Sequence, residues 1–208
     1  MNTRKSFLRL LRPKMGLNDN GIEISRFLHG GEKKQVFDSL EKWTRQFPIM
    51  EKYIADFRSL EAQRYQILEK GHKASHMATE ELRLAIYFCN KSKEEKQGSE
   101  FRINPNLVDC LVSSRFPWSS SSNPEEGESI TKYLFIPSFL ELAPKELCLT
   151  NLNSILLDLL EFSETFSYNE LLALMANALN EEPKELNPIL LDFVTGQVLY
   201  YRTFLVVK

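Results

Sequence analysis

Hydrophobic residues recur at helical spacing near the start of the last third of the chain. Five aliphatic side chains follow the pattern i, i+3, i+4, i+7 and i+8, which predicts an amphipathic helix with Asn151 as its cap. These side chains are Leu152, Ile155, Leu156, Leu159 and Leu160.

A second helix in this region has the clearest start signal of the chain. Ser167 and Glu170 have the spacing of a capping box, and Phe166 is placed to pack against Leu171. Asn180 tolerates the left-handed conformation that often ends a helix. The pattern therefore predicts a helix from about residue 168 to Asn180.

A third helix and an apolar tail follow. Asn187 as cap, Pro188 at the first helical position and Gly196 just past the end define the predicted helix. Residues 198–207 read VLYYRTFLVV, which predicts a strand or a tight hairpin. We expect this tail to pair also with a strand formed within residues 133–149. Three helices followed by a β-rich tail predict a winged-helix-like domain.

Upstream, the pattern predicts two helices and several short strands. Helical spacing covers residues 32–47, stops at Pro48 and resumes over residues 49–68. Residues 82–88 alternate between apolar and other side chains, which favours a half-buried strand, although residues 80–83 fit a helix end equally well. Residues 101–103 are a further strand candidate, and Asn104 with Pro105 begins a short helix. Residues 133–149 hold two short β-segments.

These elements predict an α+β fold that is mainly helical, with an N-terminal helical segment, a small mixed middle region and a C-terminal winged-helix-like domain. We expect a loosely structured basic arm over residues 1–31 and a helical pair with short strands over residues 32–115. A Pro/Ser/Gly/Glu-rich linker covers residues 116–131, and the winged-helix-like domain covers residues 132–208.

Charge changes the functional reading of the closing domain. Hydrophobic residues at 43%, charged residues at 26% and a formal net charge of -2 are ordinary for a globular protein. Between residues 151 and 197, however, Lys184 is the one base, and such a surface repels a phosphate backbone. The eight acids there are Asp158, Glu161, Glu164, Glu170, Glu181, Glu182, Glu185 and Asp192. The sequence thus disfavours nucleic acid as a partner.

The sequence offers no strong catalytic, cofactor or metal site. None of the eight glycines forms a GxG turn, and neither a P-loop nor a GxSxG elbow is present. His72 and His76 have the i, i+4 spacing of metal ligands, but no third ligand stands near them. Whether Cys89 meets either histidine in space stays open. The paired carboxylates at 125/126 and 181/182 lie beside prolines and make poor acid–base candidates. We therefore predict that the chain is not an enzyme.

The sequence shows neither a membrane-spanning helix nor a signal peptide. No apolar run approaches the roughly 18 residues of a spanning helix, and the apolar stretch at 7–11 is too short for a signal-peptide core. The three cysteines, at 89, 110 and 148, are widely spaced, so we expect them to be reduced. A cytoplasmic protein without a membrane span is predicted.

From about Glu80 onwards, the order of segments resembles the regulatory region that follows the catalytic domain in bacterial S-adenosylmethionine-dependent methyltransferases, including protein-lysine methyltransferases. The similar segments are LRLAIYFC, INPNLVDCLVSS, the end of a β region at LCLTN, NSILLDLL, FSYNELLALM and PILLDFVTGQVLYYRT. The resemblance implies a non-catalytic regulatory or interaction module without its own cofactor-binding domain. Such a module either binds a methyltransferase domain carried by another chain or is the remnant of an enzyme that has lost this domain.

The apolar tail is the candidate contact surface for such a partner, because it suits packing against protein better than against phosphate. Its candidate interface residues are Tyr200, Tyr201, Arg202 and Phe204. The alternative function is a winged-helix nucleic-acid-binding regulator, which the domain order and the basic first 14 residues favour. A stand-alone enzyme is the third hypothesis.

Overall fold

The computed structural model describes residues 3–15, 21–28, 32–69, 79–119, 124–136, 145–160 and 165–207. The fold is α+β and mainly helical, as the sequence predicts. The chain forms two compact units, and each is discontinuous in sequence. Unit 1 comprises Met1–Gly71 and Leu111–Cys148, and unit 2 comprises His72–Cys110 and Leu149–Lys208. These divisions differ from the predicted ones, which cut the chain into consecutive segments.

The helices of the described chain are α1 Thr3–Met15, α2 Gly21–Leu28, α3 Lys33–Gln46, α4 Glu51–Glu69, α5 Thr79–Asn90, α6 Lys93–Gln97, α7 Ile155–Leu160, α8 Tyr168–Leu179 and α9 Pro183–Thr195. The strands are β1 Glu100–Ile103, β2 Leu111–Ser114, β3 Thr131–Ile136, β4 Lys145–Cys148, β5 Phe166–Ser167 and β6 Phe204–Val206. Short 3-10 turns occupy Pro48–Met50, Pro105–Cys110, Pro124–Glu126 and Asn151–Ser154, and a π-helical turn occupies Gly196–Tyr201.

The core of unit 1 is aromatic, and α1 lies inside it. Phe7 stacks on Phe57 of α4 with ring centroids 4.2 Å apart, and Phe27, Trp43 and Trp118 surround the pair. All five rings are buried. The prediction of a loosely structured arm is therefore wrong for Thr3–Met15 and Gly21–Leu28, because Phe7, Leu11 and Phe27 lie on helical faces that this core buries.

The sheet of unit 1 is antiparallel, with strand order β2-β3-β4. Asp56 of α4 binds the end of β2 and the residues that follow this strand. Its carboxylate accepts hydrogen bonds from Ser114 Oγ (2.6 Å), the Arg115 amide (2.8 Å) and Trp118 Nε1 (2.8 Å). Phe116 and Trp118 are buried. The linker prediction is thus wrong for residues 116–119, because two large aromatic side chains recover far more free energy inside a core than in a solvated loop.

The sheet of unit 2 has strand order β5-β1-β6, with both pairings antiparallel. The apolar tail therefore pairs through β6 with β1, where Phe101 is opposite Val206 and Ile103 is opposite Phe204. The expected pairing with residues 133–149 is wrong. Strand β3 is already bonded on both edges, to β2 and β4, so it offers no free backbone groups to the tail.

Residues 82–88 form the middle of α5, not a strand. The buried residues of this stretch, Ala85 and Phe88, stand three apart, which is helical spacing, while Leu82, Ile86 and Tyr87 are exposed. The alternating pattern was therefore produced by apolar residues on the outside of a helix. The strand prediction for residues 101–103 and the two β-segments within 133–149 are confirmed by β1, β3 and β4.

Helix α8 agrees with its sequence signals. Ser167 accepts a hydrogen bond from the Glu170 amide, the Glu170 side chain accepts one from the Ser167 amide, and Asn180 ends the helix in the left-handed conformation with φ 54°. This arrangement confirms the predicted capping box. It also confirms the predicted helix end.

Helix α9 ends where predicted, at Thr195 with Gly196 just past the end, but it begins earlier than predicted. Its first residue is Pro183 instead of Pro188, and Pro188 lies inside the helix. Pro183 takes the first helical position, where a missing amide proton costs nothing. Gly196 keeps right-handed helical angles (φ −62°, ψ −42°), and the chain continues into the π-helical turn instead of a strand. The predicted ten-residue β tail is thus reduced to β6 alone.

Candidate functional site

The end of α9 in unit 2 is the most unusual backbone of the described chain. We call Gly196–Tyr201 together with Arg202 the π corner. Its six π-helical residues have i→i+5 hydrogen bonding, which is rare in proteins and frequently occurs at functional sites. Arg202 follows in the left-handed conformation with φ 56°, a region that costs a non-glycine residue about 1–2 kcal/mol.

Buried polar groups fix the shape of the π corner. The Thr203 amide donates to the Gln197 carbonyl at 2.9 Å, and the Thr203 hydroxyl donates to the Gln197 side chain. Asn104 binds from the other side: its amide donates to the Thr203 carbonyl at 2.9 Å, and its Nδ2 donates to the Arg202 carbonyl at 3.1 Å. Gln197, Thr203 and Asn104 are all buried. The unfavourable Arg202 conformation persists because these bonds define the backbone on both sides.

The four predicted interface residues have different surroundings. Tyr200 is 50% exposed, and its ring meets Tyr201 edge-on at 4.8 Å. Tyr201 is half-buried, and burial raises its pKa, with Tyr200 adding to the effect. Arg202 is half-buried, whereas Phe204 is fully buried and packs against Phe101, Phe166 and Phe193. Phe204 is therefore a core residue, and Tyr200 is the member of the set best placed to meet a partner.

The exposed face of α9 runs into the π corner as one continuous line. We define the α9 stripe as Glu185, Ile189, Asp192, Gly196 and Tyr200, which are spaced by four, three, four and four residues. This spacing keeps them on one side of a helix, and about four residues also make one π turn. Ile189 is 51% exposed, Glu185 and Asp192 are exposed, and buried Leu186, Leu190 and Val194 form the opposite face.

Gly196 is the least explained residue of the α9 stripe. Its φ and ψ are those of any helical residue, and a Cβ built on it would meet no atom of the described chain within 4 Å, its helical neighbours apart. Glycine at such a position costs about 1 kcal/mol relative to alanine. The fold itself thus gives no reason for a glycine here.

The charges near the α9 stripe are mainly negative. From α8 to the π corner there are five acids and two bases. The acids are Glu170, Glu181, Glu182, Glu185 and Asp192, and the bases are Lys184 and Arg202. Within the described ranges, neither Glu185 nor Asp192 takes part in an ion pair. Their charge is therefore available to a binding partner.

In the described part of the chain, the candidate nucleophiles and metal ligands form no second site. His72 and His76 lie outside the described residues, so neither their spacing nor a contact with Cys89 is tested. Burial raises the pKa of Cys89, and burial and the charge of Asp109 raise the pKa of Cys110 to about 11. The thiols of Cys89 and Cys110 are therefore protonated at neutral pH and weakly nucleophilic. No group of three histidine, cysteine, aspartate or glutamate side chains with metal-binding geometry occurs in the described ranges.

Unit 1 contains a buried cluster of four charged side chains, which sequence reasoning missed. Arg4 of α1, Glu61 and Arg64 of α4, and Glu146 of β4 are each at most 6% exposed. Their polar atoms are directed at one another: Arg4 Nη2 to Glu61 Oε2 is 2.7 Å, and Arg64 Nη2 to Glu146 Oε1 is 2.6 Å. The Thr3 amide, at the start of α1, donates to Glu146 Oε2 at 2.7 Å. The two positive and two negative charges neutralise one another, and their contacts join α1, α4 and β4 inside unit 1.

Comparison of the chain with known proteins assigns it to no family. No protein-family model, curated protein or solved structure matches the chain. Of the helices in the described ranges, none combines the length and the apolar character needed to cross a membrane.

Proposed function

We propose that the protein is a non-catalytic regulatory module that binds a second protein through the α9 stripe, and that this protein is a methyltransferase catalytic domain on another chain. The observation that carries the proposal is the exposure of Ile189 and Tyr200 on one rigid helical face. Half-exposed aromatic and aliphatic side chains on a fixed backbone are typical anchors of protein interfaces.

Two further features support a protein partner over nucleic acid. The acids flanking Ile189 on the α9 stripe repel phosphate, whereas nucleic-acid interfaces depend on lysine and arginine. The buried polar groups of the π corner preorganise Tyr200, so little conformational entropy is lost when it is covered. The methyltransferase identity of the partner rests on the sequence resemblance from Glu80 onwards. A reducing, cytoplasmic location fits three cysteines that are all free thiols.

The test is a binding titration with the full chain. A purified catalytic domain of a bacterial protein-lysine methyltransferase of the resembling family is titrated by calorimetry with the wild type, Ile189→Asp and Tyr200→Asp. We expect binding by the wild type and a loss of at least about tenfold in each variant, because an unpaired carboxylate is then placed at a desolvated anchor.

Val108→Asp is the matched control, because Val108 is also an exposed aliphatic residue of unit 2 and is 64% exposed. It should bind like the wild type, and far-UV circular dichroism should show the same helix content in all four proteins. The proposal fails if the wild type does not bind the catalytic domain. It also fails if the stripe variants bind as tightly as Val108→Asp.

A further inference from the structure

We infer that the segment docking on the α9 stripe is a cationic amphipathic helix, and that this helix crosses α9 over Gly196. The inference rests on the proposed function and specifies the chemistry of the partner. Its starting point is the order of side chains along the stripe, in which acidic and apolar residues alternate before Gly196 and Tyr200 follows it.

Gly196 provides the crossing point. Because its hydrogen side chain faces open space and its backbone angles are ordinary, the residue leaves a gap between Asp192 and Tyr200 that no side chain of the described chain fills. Glycine at a helix surface allows another backbone to approach closely. A partner helix can therefore come nearest to α9 at Gly196, with Tyr200 packing on one side of the crossing and Ile189 on the other.

Charge complementarity identifies the occupant as basic. Glu185 and Asp192 stand seven residues apart, two helical turns, and both face solvent without an ion pair in the described part of the chain. A partner with lysine or arginine beside its apolar positions pairs with both carboxylates while burying Ile189 and Tyr200.

The dimensions favour a helix as the docking element. The stripe spans 15 residue steps from Glu185 to Tyr200, which at 1.5 Å per residue is roughly 20 Å. A helix of about four turns covers this length and presents apolar and basic residues on one face. Recognition through a few anchors at helical spacing is an established mode of peptide binding.

The probe is a fluorescein-labelled peptide of about 18 residues, or five turns, built from leucine on one face and lysine on the other. Anisotropy titrations use the full chain at low and high salt. Two comparison peptides have glutamate in place of lysine, or the same composition in a non-amphipathic order. We expect the cationic amphipathic peptide to bind at least about tenfold more tightly than either, and to weaken as salt is raised.

Variants at Gly196 separate binding from folding. Gly196→Ala and Gly196→Leu place side chains in open space at helical angles, so both should keep or raise the thermal midpoint measured by circular dichroism. Peptide binding should nevertheless fall with side-chain size, by at least about tenfold for leucine. The inference is overturned if Gly196→Leu binds the peptide as tightly as the wild type.

A charge-matched pair of double variants tests the acidic positions. Glu185→Lys/Asp192→Lys should lose binding and most of its salt dependence. Asp109→Lys/Glu128→Lys changes two other exposed acids by the same net charge and should bind like the wild type. Equal loss in both double variants overturns the inference, because binding then follows overall charge only.

Two other occupants are outcomes of the same experiments. A dimer in sedimentation velocity that Ile189→Asp dissociates would assign the stripe to a second copy of this chain and overturn the inference. Preference for the anionic peptide would do the same. If the methyltransferase domain binds through the stripe but the Gly196 series has no effect on peptide binding, the crossing helix is wrong while the proposed function stands. If neither binds, both fail.

Discussion

Arg4 Nη2 and Glu61 Oε2 lie 2.7 Å apart in the interior of unit 1, and Arg4 Nε reaches Glu61 Oε1 at 3.0 Å. The pair therefore has the two-pronged geometry that gives arginine–carboxylate contacts their strength. Burial by itself lowers the pKa of Arg4, but the hydrogen bonds and the charge of Glu61 raise it by more than burial lowers it. The net pKa is raised, so the guanidinium stays charged. Through this pair, the first helix of the chain is tied to α4.

Glu61→Gln should destabilise unit 1 by about 3–5 kcal/mol, because Arg4 and Arg64 then share the interior with Glu146 as their one remaining carboxylate. Guanidinium unfolding followed by tryptophan fluorescence measures this unit alone, since both tryptophans of the chain, Trp43 and Trp118, belong to it.

Glu69→Gln is the control, because Glu69 makes an exposed ion pair with Lys33 in the same unit. Its cost should stay below about 1 kcal/mol. The double variant Arg4→Met/Glu61→Met removes one charge of each sign and should be more stable than Glu61→Gln. Equal unfolding midpoints for Glu61→Gln and Glu69→Gln would show that the buried pair adds nothing specific.

Tyr133→Phe should remove a pH dependence at alkaline pH. Burial raises the pKa of Tyr133 above its ordinary value of 10.0. Above pH 10 the unfolded chain loses this proton before the folded one, so the wild type should lose stability as pH rises, by at most about 1.4 kcal/mol per pH unit. The variant should show a shallower decline in the tryptophan-detected transition between pH 9 and pH 11, values bracketing the ordinary pKa of roughly 10.

At neutral pH the same substitution should lower the stability of the protein, and this effect can be measured separately from the change at alkaline pH. Tyr133 Oη accepts a hydrogen bond from the Trp118 amide at 2.7 Å, and phenylalanine leaves that buried amide unsatisfied. This should cost about 1–3 kcal/mol. Parallel pH profiles of the two proteins would contradict the pKa argument even if the neutral-pH cost is observed.

Arg202→Gly and Arg202→Ala should differ in stability although both remove the same side chain. The left-handed conformation at φ 56° costs alanine about 1–2 kcal/mol and costs glycine almost nothing. Thermal unfolding of the two variants is compared by far-UV circular dichroism, which follows the loss of helix. If alanine is as stable as glycine, the π corner does not hold Arg202 in this conformation in solution.

Tyr200→Asp and Tyr201→Asp should separate binding from folding at adjacent positions. Tyr200 is half exposed, so its variant should keep the thermal midpoint of the wild type. Tyr201 is more buried, and burial already raises its pKa, which shows that a charge is disfavoured there. Tyr201→Asp should therefore lower the midpoint clearly. Equal thermal midpoints for the two variants would show that Tyr201 is no more important for folding than Tyr200.

Local signals could be predicted from the sequence wherever neighbouring residues determine the structure. The capping box of Ser167 and Glu170 and the helix end at Asn180 depend on contacts within a few residues, and both are confirmed. The predicted start of α9 is too late because Asn187 and Pro188 carry the same kind of start signal as Glu182 and Pro183, where the helix begins. Exposed Leu82 and Ile86 gave α5 the alternation of a strand.

Long-range partners could not be predicted in the same way. Trp118 looked like part of a linker because its anchors, Asp56 and Tyr133, are distant in sequence. Strand β6 pairs with Phe101–Ile103 of β1, about a hundred residues upstream, and no local pattern indicates such a distant partner. Within the α9 stripe, the sequence identifies Tyr200 as an interface candidate because it belongs to the apolar tail. Glu185 and Ile189 are not identified, because the face of the helix on which they lie depends on where α9 begins. The predicted position of Gly196, just past the end of α9, is confirmed, but its right-handed backbone and the π-helical turn that follows could not be predicted from the local sequence.

The discontinuity of the two units sets an order for folding during synthesis. Unit 1 needs β4, so its sheet cannot close until Cys148 has left the ribosome, although its helices are made first. Residues 72–110 emerge in between and must wait for β5 and β6, the two partners of β1. Once β5 has been made, one edge of β1 can pair, but the other edge stays open until β6 appears, and a chaperone would find an open strand edge at this stage.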